Sequence, residues 1–312
     1  MRTFILVLSL LVFPFATALA QAVDIEEIEM PLEETLETPV LLPDDVKVQE
    51  IKNGVYMIEA GGGNLAVSSG AQGLFVIDDG LEERSADVVA AIRSISKAPI
   101  KMVVNTHWHY DHTGNNKVMA DDHAMLIAHD HVRERLKSGG TIKAFDKVME
   151  PAHLDSLPVL TYDKSVTIHL NDHEVKVAHM EPAHTDGDSF VIWTKLNILH
   201  TGDLFFNGVF PFIDASSGGS LKGMIAASEK LLAGVNDETK IIPGHGPLAT
   251  KADLQKYSDM LKTVAQRLEQ AKTDGKTKEE WMAANPLEDL GKDWGGGFLS
   301  TEKFTDIVWD AS

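Results

Sequence analysis

The 312-residue chain contains no cysteine. That absence excludes disulfides, thiolate metal sites and a cysteine nucleophile, so any bound metal must be held by histidine and carboxylate. Nothing resembles a basic stripe either. The formal net charge is −19, and such a surface repels phosphate backbones, which makes nucleic acid a poor substrate. No Gly-x-Ser-x-Gly elbow is present to carry a serine nucleophile. The run Gly61-Gly62-Gly63-Asn64 is not followed by a helix bearing Lys and Ser/Thr, so it reads as a hairpin turn and not as a phosphate loop. No repeat of fixed period is visible.

The apolar stretch from Phe4 to Phe15 is too short to span a bilayer comfortably and carries Pro14. With Arg2 before it and Ala18-Leu19-Ala20 after it, residues 1–20 read as a secretory signal cleaved before Gln21. The alternative is an uncleaved anchor, and a lipoprotein anchor would need a cysteine. Export to a periplasm or the medium is therefore expected, with no stable membrane anchor after cleavage. Residues 21–45 hold Glu26, Glu27, Glu29, Glu33, Glu34 and Glu37 among Pro31, Pro39 and Pro43, the composition of an acidic flexible leader. Residues 46–312 are expected to form the folded part. With 44% hydrophobic residues, that length suits one large α/β domain or two small ones.

Val55–Glu59, Leu65–Ser68 and Leu74–Ile77 read as short strands between glycine-rich turns, and Ser85–Ser96 as a helix with Val88, Val89, Ile92 and Ile95 on one face. Ile100–Val104 is the next strand. Leu126–Ala128 reads as a strand followed by a helix that Asp130 can cap, and residues 139–160 as an irregular segment. A hairpin is expected for Val166–Leu170 and Glu174–His179 around Asn171-Asp172, then strands Ser189–Trp193 and Ile198–His200, a helix Leu221–Ala233, and a long helix bearing Leu254, Tyr257, Leu261, Val264 and Leu268. The pattern of strands then helix occurs twice, which suits two sheet-plus-helix halves.

One stretch stands apart. Asn105-Thr106-His107-Trp108-His109-Tyr110-Asp111-His112 places three histidines and a carboxylate within six residues, directly after a buried strand. Alternate residues share a side in an extended segment, so His107 and His109 can face one ion while Asp111 and His112 face a neighbouring point. Of thirteen histidines, His123, His131, His153, His169, His173 and His200 lack companion spacing and read as ordinary hydrogen-bonding residues; His129 reads as structural and His179 as a core histidine. His184 and His245 differ, because each lies in a glycine-flanked loop at a strand end, as does Asp203.

This series, His107-Trp-His109-Tyr-Asp111-His112 followed by His184, Asp203 and His245, resembles the complete motif series of the metallo-β-lactamase superfamily over roughly Val48 to Leu268. The resemblance implies a four-layer αββα sandwich with two zinc ions between the sheet edges. It places His107, His109 and His184 on the first metal and Asp111, His112 and His245 on the second, with Asp203 on the second or bridging both. Asp78 matches the aspartate that orients the motif loop from behind the ligands.

Five imidazoles and two carboxylates without thiolate suit zinc, with iron or manganese as alternatives. Two ions about 3.5–4 Å apart lower the pKa of a shared water to near 7, generating hydroxide to attack a carbonyl carbon. Asp111 is the residue expected to orient that nucleophile. The expected activity is an exported zinc hydrolase of a cyclic amide or ester, β-lactams included. The alternatives are a lactonase or thioesterase, a mononuclear iron enzyme resembling persulfide dioxygenases, and a non-catalytic binding protein. Asp203 stands where one lactamase subclass has a cysteine, and Phe206 where that subclass has a lysine for the substrate carboxylate; Lys222 is the substitute considered. No basic region like that of glutathione-binding thioesterases follows Leu268. The aromatic run Leu204 to Phe212 is expected mainly to pack under the second sheet. Its alternative role is a substrate wall, with Phe206 as an apolar contact and Asn207 as an oxyanion donor.

Overall fold

The computed structural model describes residues 42–312. The expected signal and nearly all of the leader lie outside the described residues.

The described residues begin with four antiparallel strands, β1 (Lys47–Lys52), β2 (Val55–Glu59), β3 (Leu65–Gly70) and β4 (Gly73–Ile77), then helix α1 (Ser85–Ile95). Strand β5 (Ile100–Asn105) adds parallel to β4. Two short helices, α2 (Tyr110–Thr113) and α3 (Asn116–Asp121), lead to β6 (Met125–His129), which is parallel to β5, and to α4 (Asp130–Ser138). The N-cap of α4 is His129, whose ring accepts from the His131 N–H, so Asp130 is its first residue and not its cap. The segment expected to be irregular contains a small hairpin, β7 (Gly140–Ile142) with β8 (Lys147–Met149), before β9 (Leu160–Tyr162) closes the seven-stranded first sheet.

The second sheet has five strands: β10 (Ser165–Leu170), β11 (His173–His179), β12 (Ser189–Trp193), β13 (Ile198–His200) and β14 (Lys240–Ile242). Asn171 and Asp172 both take left-handed backbone angles, the signature of the tight turn that joins β10 to β11. Helix α5 (Leu221–Gly234) crosses from β13 to β14, which pair in parallel. Helix α6 (Lys251–Thr273) starts in a capping box of Thr250 and Asp253. Helices α7 (Lys278–Ala283), α8 (Gly291–Trp294) and α9 (Thr301–Asp310) follow.

The period of two along the strands sorts side chains into layers. On β4, Phe75 and Ile77 face the second sheet while Leu74 and Val76 face α1 and α3. Phe75 meets Trp193 of β12 across the sandwich, with ring centroids 6.4 Å apart. The outer face of the second sheet is covered by α5, α6 and the C-terminal helices, through Met224, Leu231, Leu261, Trp281 and Phe304. The result is the expected four-layer αββα sandwich. The parallel pairs β4–β5 of the first sheet and β13–β14 of the second end on one edge, and that edge carries the histidines.

Candidate metal centre

The turn after β5 delivers Thr106 to His112. It is held from below by Asp78, a buried residue at the end of β4 whose φ is 58°. The Asp78 carboxylate accepts from Thr106 N at 2.7 Å and from Thr106 Oγ1 at 2.8 Å, and lies 2.7 Å from His112 Nδ1. Because a carboxylate only accepts, His112 Nδ1 carries a proton. Burial opposes charge on this ring, but Asp203, Asp111 and Asp78 outweigh it and hold its pKa well above the usual histidine value, so Nε2 offers a lone pair once a cation takes the place of its proton. The hydroxyl of Thr106 donates its one hydrogen bond to Asp78, so it accepts from His107 Nδ1 at 3.1 Å. His109 Nε2 donates to Asp214 Oδ2 at 3.0 Å, and His184 Nδ1 donates to the Phe212 carbonyl at 2.8 Å. Four imidazoles are thereby fixed in the tautomer whose remaining nitrogen points inward.

Those inner nitrogens crowd one another. His109 Nδ1 lies 3.2 Å from His107 Nε2 and 2.9 Å from His184 Nε2, with no proton left to place between them. Two groups result, and within each the ligand atoms lie within 4.8 Å of one another: His107, His109, His184 and Asp203, and beside them Asp111, His112 and His245. Asp203, from the turn after β13, stands between them. Its Oδ1 is 3.1 Å from His112 Nε2, and its Oδ2 is 3.4 Å from both His184 Nε2 and His245 Nε2. Asp111 Oδ2 approaches His245 Nε2 at 3.2 Å.

Protonation energetics point the same way. Burial, reinforced by the neighbouring imidazoles, holds His107 well below the usual histidine value, and burial lowers His184 to about 4. Burial also opposes charge on His245, yet Asp203 and Asp111 outweigh it and push that ring up to about 9. Lone pairs and carboxylates thus converge where a positive charge is wanted. A divalent cation in each group fits that demand, and the nitrogen and oxygen donors suit zinc.

All seven residues expected from the sequence as ligands are brought together, and Asp78 lies directly behind them. Two other expectations are corrected. Asn207 is no oxyanion donor, because its amide donates to the Pro247 carbonyl at 2.9 Å and the residue borders a separate cavity beside Asp253 and Trp294. Phe206 makes no cleft wall. It is fully buried with its ring parallel to that of His245 at 5.1 Å, a support behind a ligand and not a substrate contact. The reason is common to both: residue 206 pairs in parallel with residue 245, so successive side chains alternate, 206 under the ligand ring and 207 away from it. Phe205 and Phe210 pack beneath the second sheet as expected, while Phe212 lines the cleft. Lys222 is exposed on α5 and does not border the cleft.

Several supports were not foreseen. Asp214, which holds His109, also accepts from Ser217 Oγ at 2.5 Å and from Ser216, and the His109 contact and these hydroxyls keep it ionised despite burial. Asp-Ala-Ser-Ser is a helix-capping pattern, and that was the only signal available. Asp188 accepts from the backbone of His184 and Thr185, shaping the His184 loop, and burial pushes its pKa up to about 7. Asn64 donates to the Pro243 and Gly246 carbonyls at 2.9 and 2.8 Å, tying the glycine turn to the His245 loop. Close approach explains two glycines: a Cβ on Gly63 would stand 2.2 Å from the His112 ring, and one on Gly244 would stand 2.0 Å from Asp203 Oδ1.

Against known proteins, residues 51–247 match the family model of the metallo-beta-lactamase superfamily, well over half of the chain. The chain belongs to this superfamily. Among curated relatives of this superfamily member, a hydroxyacylglutathione hydrolase of Polaromonas sp. (strain JS666 / ATCC BAA-500) is 31% identical over 148 residues, 47% of this chain and 48% of the relative. The chain therefore spans about half the length of the curated relative it matches. Among solved structures, a metallo-beta-lactamase from Pontibacter korlensis aligns with TM-score 0.56 at 19% identity, covering 70% of this chain and 99% of the other. The DIM-1 metallo-beta-lactamase gives 0.55 at 17%, over 72% and 99%. A double mutant of the sec-alkyl sulfatase PisA1 gives 0.62 at 16%, over 85% of this chain and 50% of the sulfatase. At these identities the structures establish the shared fold, and the site stands on its own geometry.

Proposed function

We propose that this protein is a two-metal hydrolase of carbonyl substrates, zinc-dependent and exported. The observation that carries the reading is Asp203, which offers one oxygen to His112 and the other to His184 and His245, the position of a carboxylate shared by two cations. His107, His109 and His184 would hold one ion, and Asp111, His112 and His245 the other. When bound, such a pair acidifies water at neutral pH and polarises a carbonyl, which is the chemistry of ester, thioester and cyclic amide hydrolysis.

The chain's own residues supply the rest. Asp111 is partly exposed to the cleft and, although burial opposes it, His112 and His245 keep its pKa at about 2, so it accepts a hydrogen bond throughout the physiological range and orients the attacking water. Burial, with Asp111 and Glu83, raises the Tyr110 phenol, which lines the same cleft and stays a donor for a substrate oxygen. Asp78, Thr106, Asp214 and the Phe212 carbonyl hold the ligand rings in register, so little reorganisation accompanies reaction.

A thioesterase is the second reading, favoured by the 31% identity to a protein described as a hydroxyacylglutathione hydrolase. Metal content per chain, followed by turnover of nitrocefin, a lactone and an acyl thioester by zinc-loaded protein, tests the proposal. Two ions per chain with hydrolysis of one of these classes is expected. One iron per chain and no zinc would overturn the two-metal scheme and favour the mononuclear iron alternative. Export rests on the composition of residues 1–20, and a mature N-terminus at Gln21 in protein recovered outside the cytoplasm is the expected result.

A further inference from the structure

Asp111, Asp203, His109 and His245 open onto a cleft of about 260 Å³. Its other walls are Leu81, Ile142, Phe145, Phe212 and Phe298, with Tyr110 beside Asp111. Among the described residues, no lysine or arginine lines it. Of the cations nearby, the two arginines are engaged elsewhere, and one lysine stands over a wall residue from outside. Arg84 pairs with Asp45 and Asp87, both at 2.7 Å. Arg135 binds Asp186 through two contacts of 2.6 Å. Lys147 lies over the face of Tyr110, 4.8 Å from its centroid, in the adjoining cavity. The net charge of −19 adds a repulsive field for anions.

The walls are also not ordinary core. Phe145 is 38% and Phe298 54% exposed, an unfavourable placement for large apolar groups unless something covers them. They come from distant parts of the chain, the β7–β8 hairpin and the segment before α9, yet converge on one opening. Phe145 packs on Phe212 with centroids 4.8 Å apart, and Phe298 lies 5.5 Å from the ring of His245.

We propose that this cleft selects uncharged substrates with an alkyl or aryl group beside the scissile carbonyl, neutral esters or lactones, and discriminates against carboxylate-bearing ones, with Phe145, Phe212 and Phe298 receiving the apolar group. The inference rests on the hydrolase reading above. A carboxylate on the acyl tail would lose its hydration against these rings and find no lysine or arginine beside them, while the cations that the ligand groups would hold are needed at the scissile carbonyl. An alkyl chain would cover the exposed rings, and each buried methylene would raise kcat/KM about fourfold.

The test uses the zinc-loaded full chain with 4-nitrophenyl acetate, butyrate and hexanoate, and with 4-nitrophenyl hemiglutarate, an ester of similar length carrying a carboxylate. We expect kcat/KM to climb from acetate to hexanoate, chiefly through KM, and the hemiglutarate to fall at least tenfold below butyrate. Phe145→Ala should lower kcat/KM on hexanoate about tenfold, with a loss that shrinks with the acyl chain. Phe145→Arg should raise turnover of the hemiglutarate while lowering that of hexanoate. A flat chain-length series, or hemiglutarate turned over as well as butyrate, would overturn the selectivity while leaving the hydrolase reading intact. If neither these esters nor nitrocefin, a lactone or an acyl thioester is cleaved, that reading fails instead. Calorimetric binding of hexanoyl-4-nitroanilide against glutaryl-4-nitroanilide still decides selectivity, with tighter binding of the neutral compound supporting it and equal binding refuting it.

Discussion

The two ligand groups are built differently although they share Asp203. In the first, His107, His109 and His184 are buried, and each outer ring nitrogen is bonded, to Thr106, Asp214 and the Phe212 carbonyl. In the second, only His112 is held that way, by Asp78. His245 is positioned by stacking on Phe206, no described residue bonds its outer nitrogen, and both it and Asp111 face the cleft. A ring locked by a hydrogen bond has one tautomer and one orientation, whereas a stacked ring retains freedom in its plane. The first group is therefore the more rigid and more buried holder, reaching the cleft through His109, and the second is the more exposed of the two.

The largest effect should come from the residue common to both. Asp203→Ala should reduce bound metal below two per chain and lower kcat/KM roughly 10⁴-fold, since several kcal/mol of charge stabilisation are lost with it. Retention of two ions with near-normal turnover would refute its bridging position. Asp111→Ala should lower kcat roughly 10³-fold while the first group keeps its ion, as elemental analysis would reveal. Retained activity would remove Asp111 as the orienting carboxylate.

Asp214→Ala touches the rigid group alone. It should weaken that group's metal affinity about 10–100-fold in a chelator competition and leave the second ion's affinity nearly unchanged. Equal weakening of both would erase the distinction between the groups. Asn207→Ala should have the smallest effect, activity within about twofold and stability within roughly 1 kcal/mol, because its amide serves a surface turn. A large loss of kcat would restore the oxyanion role that its contacts with Pro247 deny.

Legibility of the site in the sequence followed chain distance. His107 to His112 lie within six residues, so their periodicity announces a metal site without any fold. His184, Asp203 and His245 were visible as polar residues at strand ends beside glycine. Asp214, Asp188 and Asn64 were not, because capping aspartates and turn asparagines are common and their partners, His109, His184 and the Pro243 carbonyl, lie 105, 4 and 179 positions away or on backbone. Strands with clear alternation were read closely. β1 was missed because it is an edge strand with mostly exposed side chains, and the β7–β8 hairpin because three-residue strands carry too few positions for a period.

The sequence by itself determined the kind of donor: without cysteine, any metal would be held by imidazole and carboxylate, and the order of five histidines and two aspartates resembled the superfamily's ligand series. Two runs of short strands, each followed by a helix, pointed to two sheet-plus-helix halves, and the four-layer arrangement came from the resemblance to the superfamily. Only the tertiary structure decided which nitrogen of each ring faces inward, that Asp203 stands between the groups, and that Phe145, Phe212 and Phe298 meet over them. Those are properties of contacts between segments far apart in the chain. Local pattern records whether a residue is buried, whereas packing chooses what it is buried against.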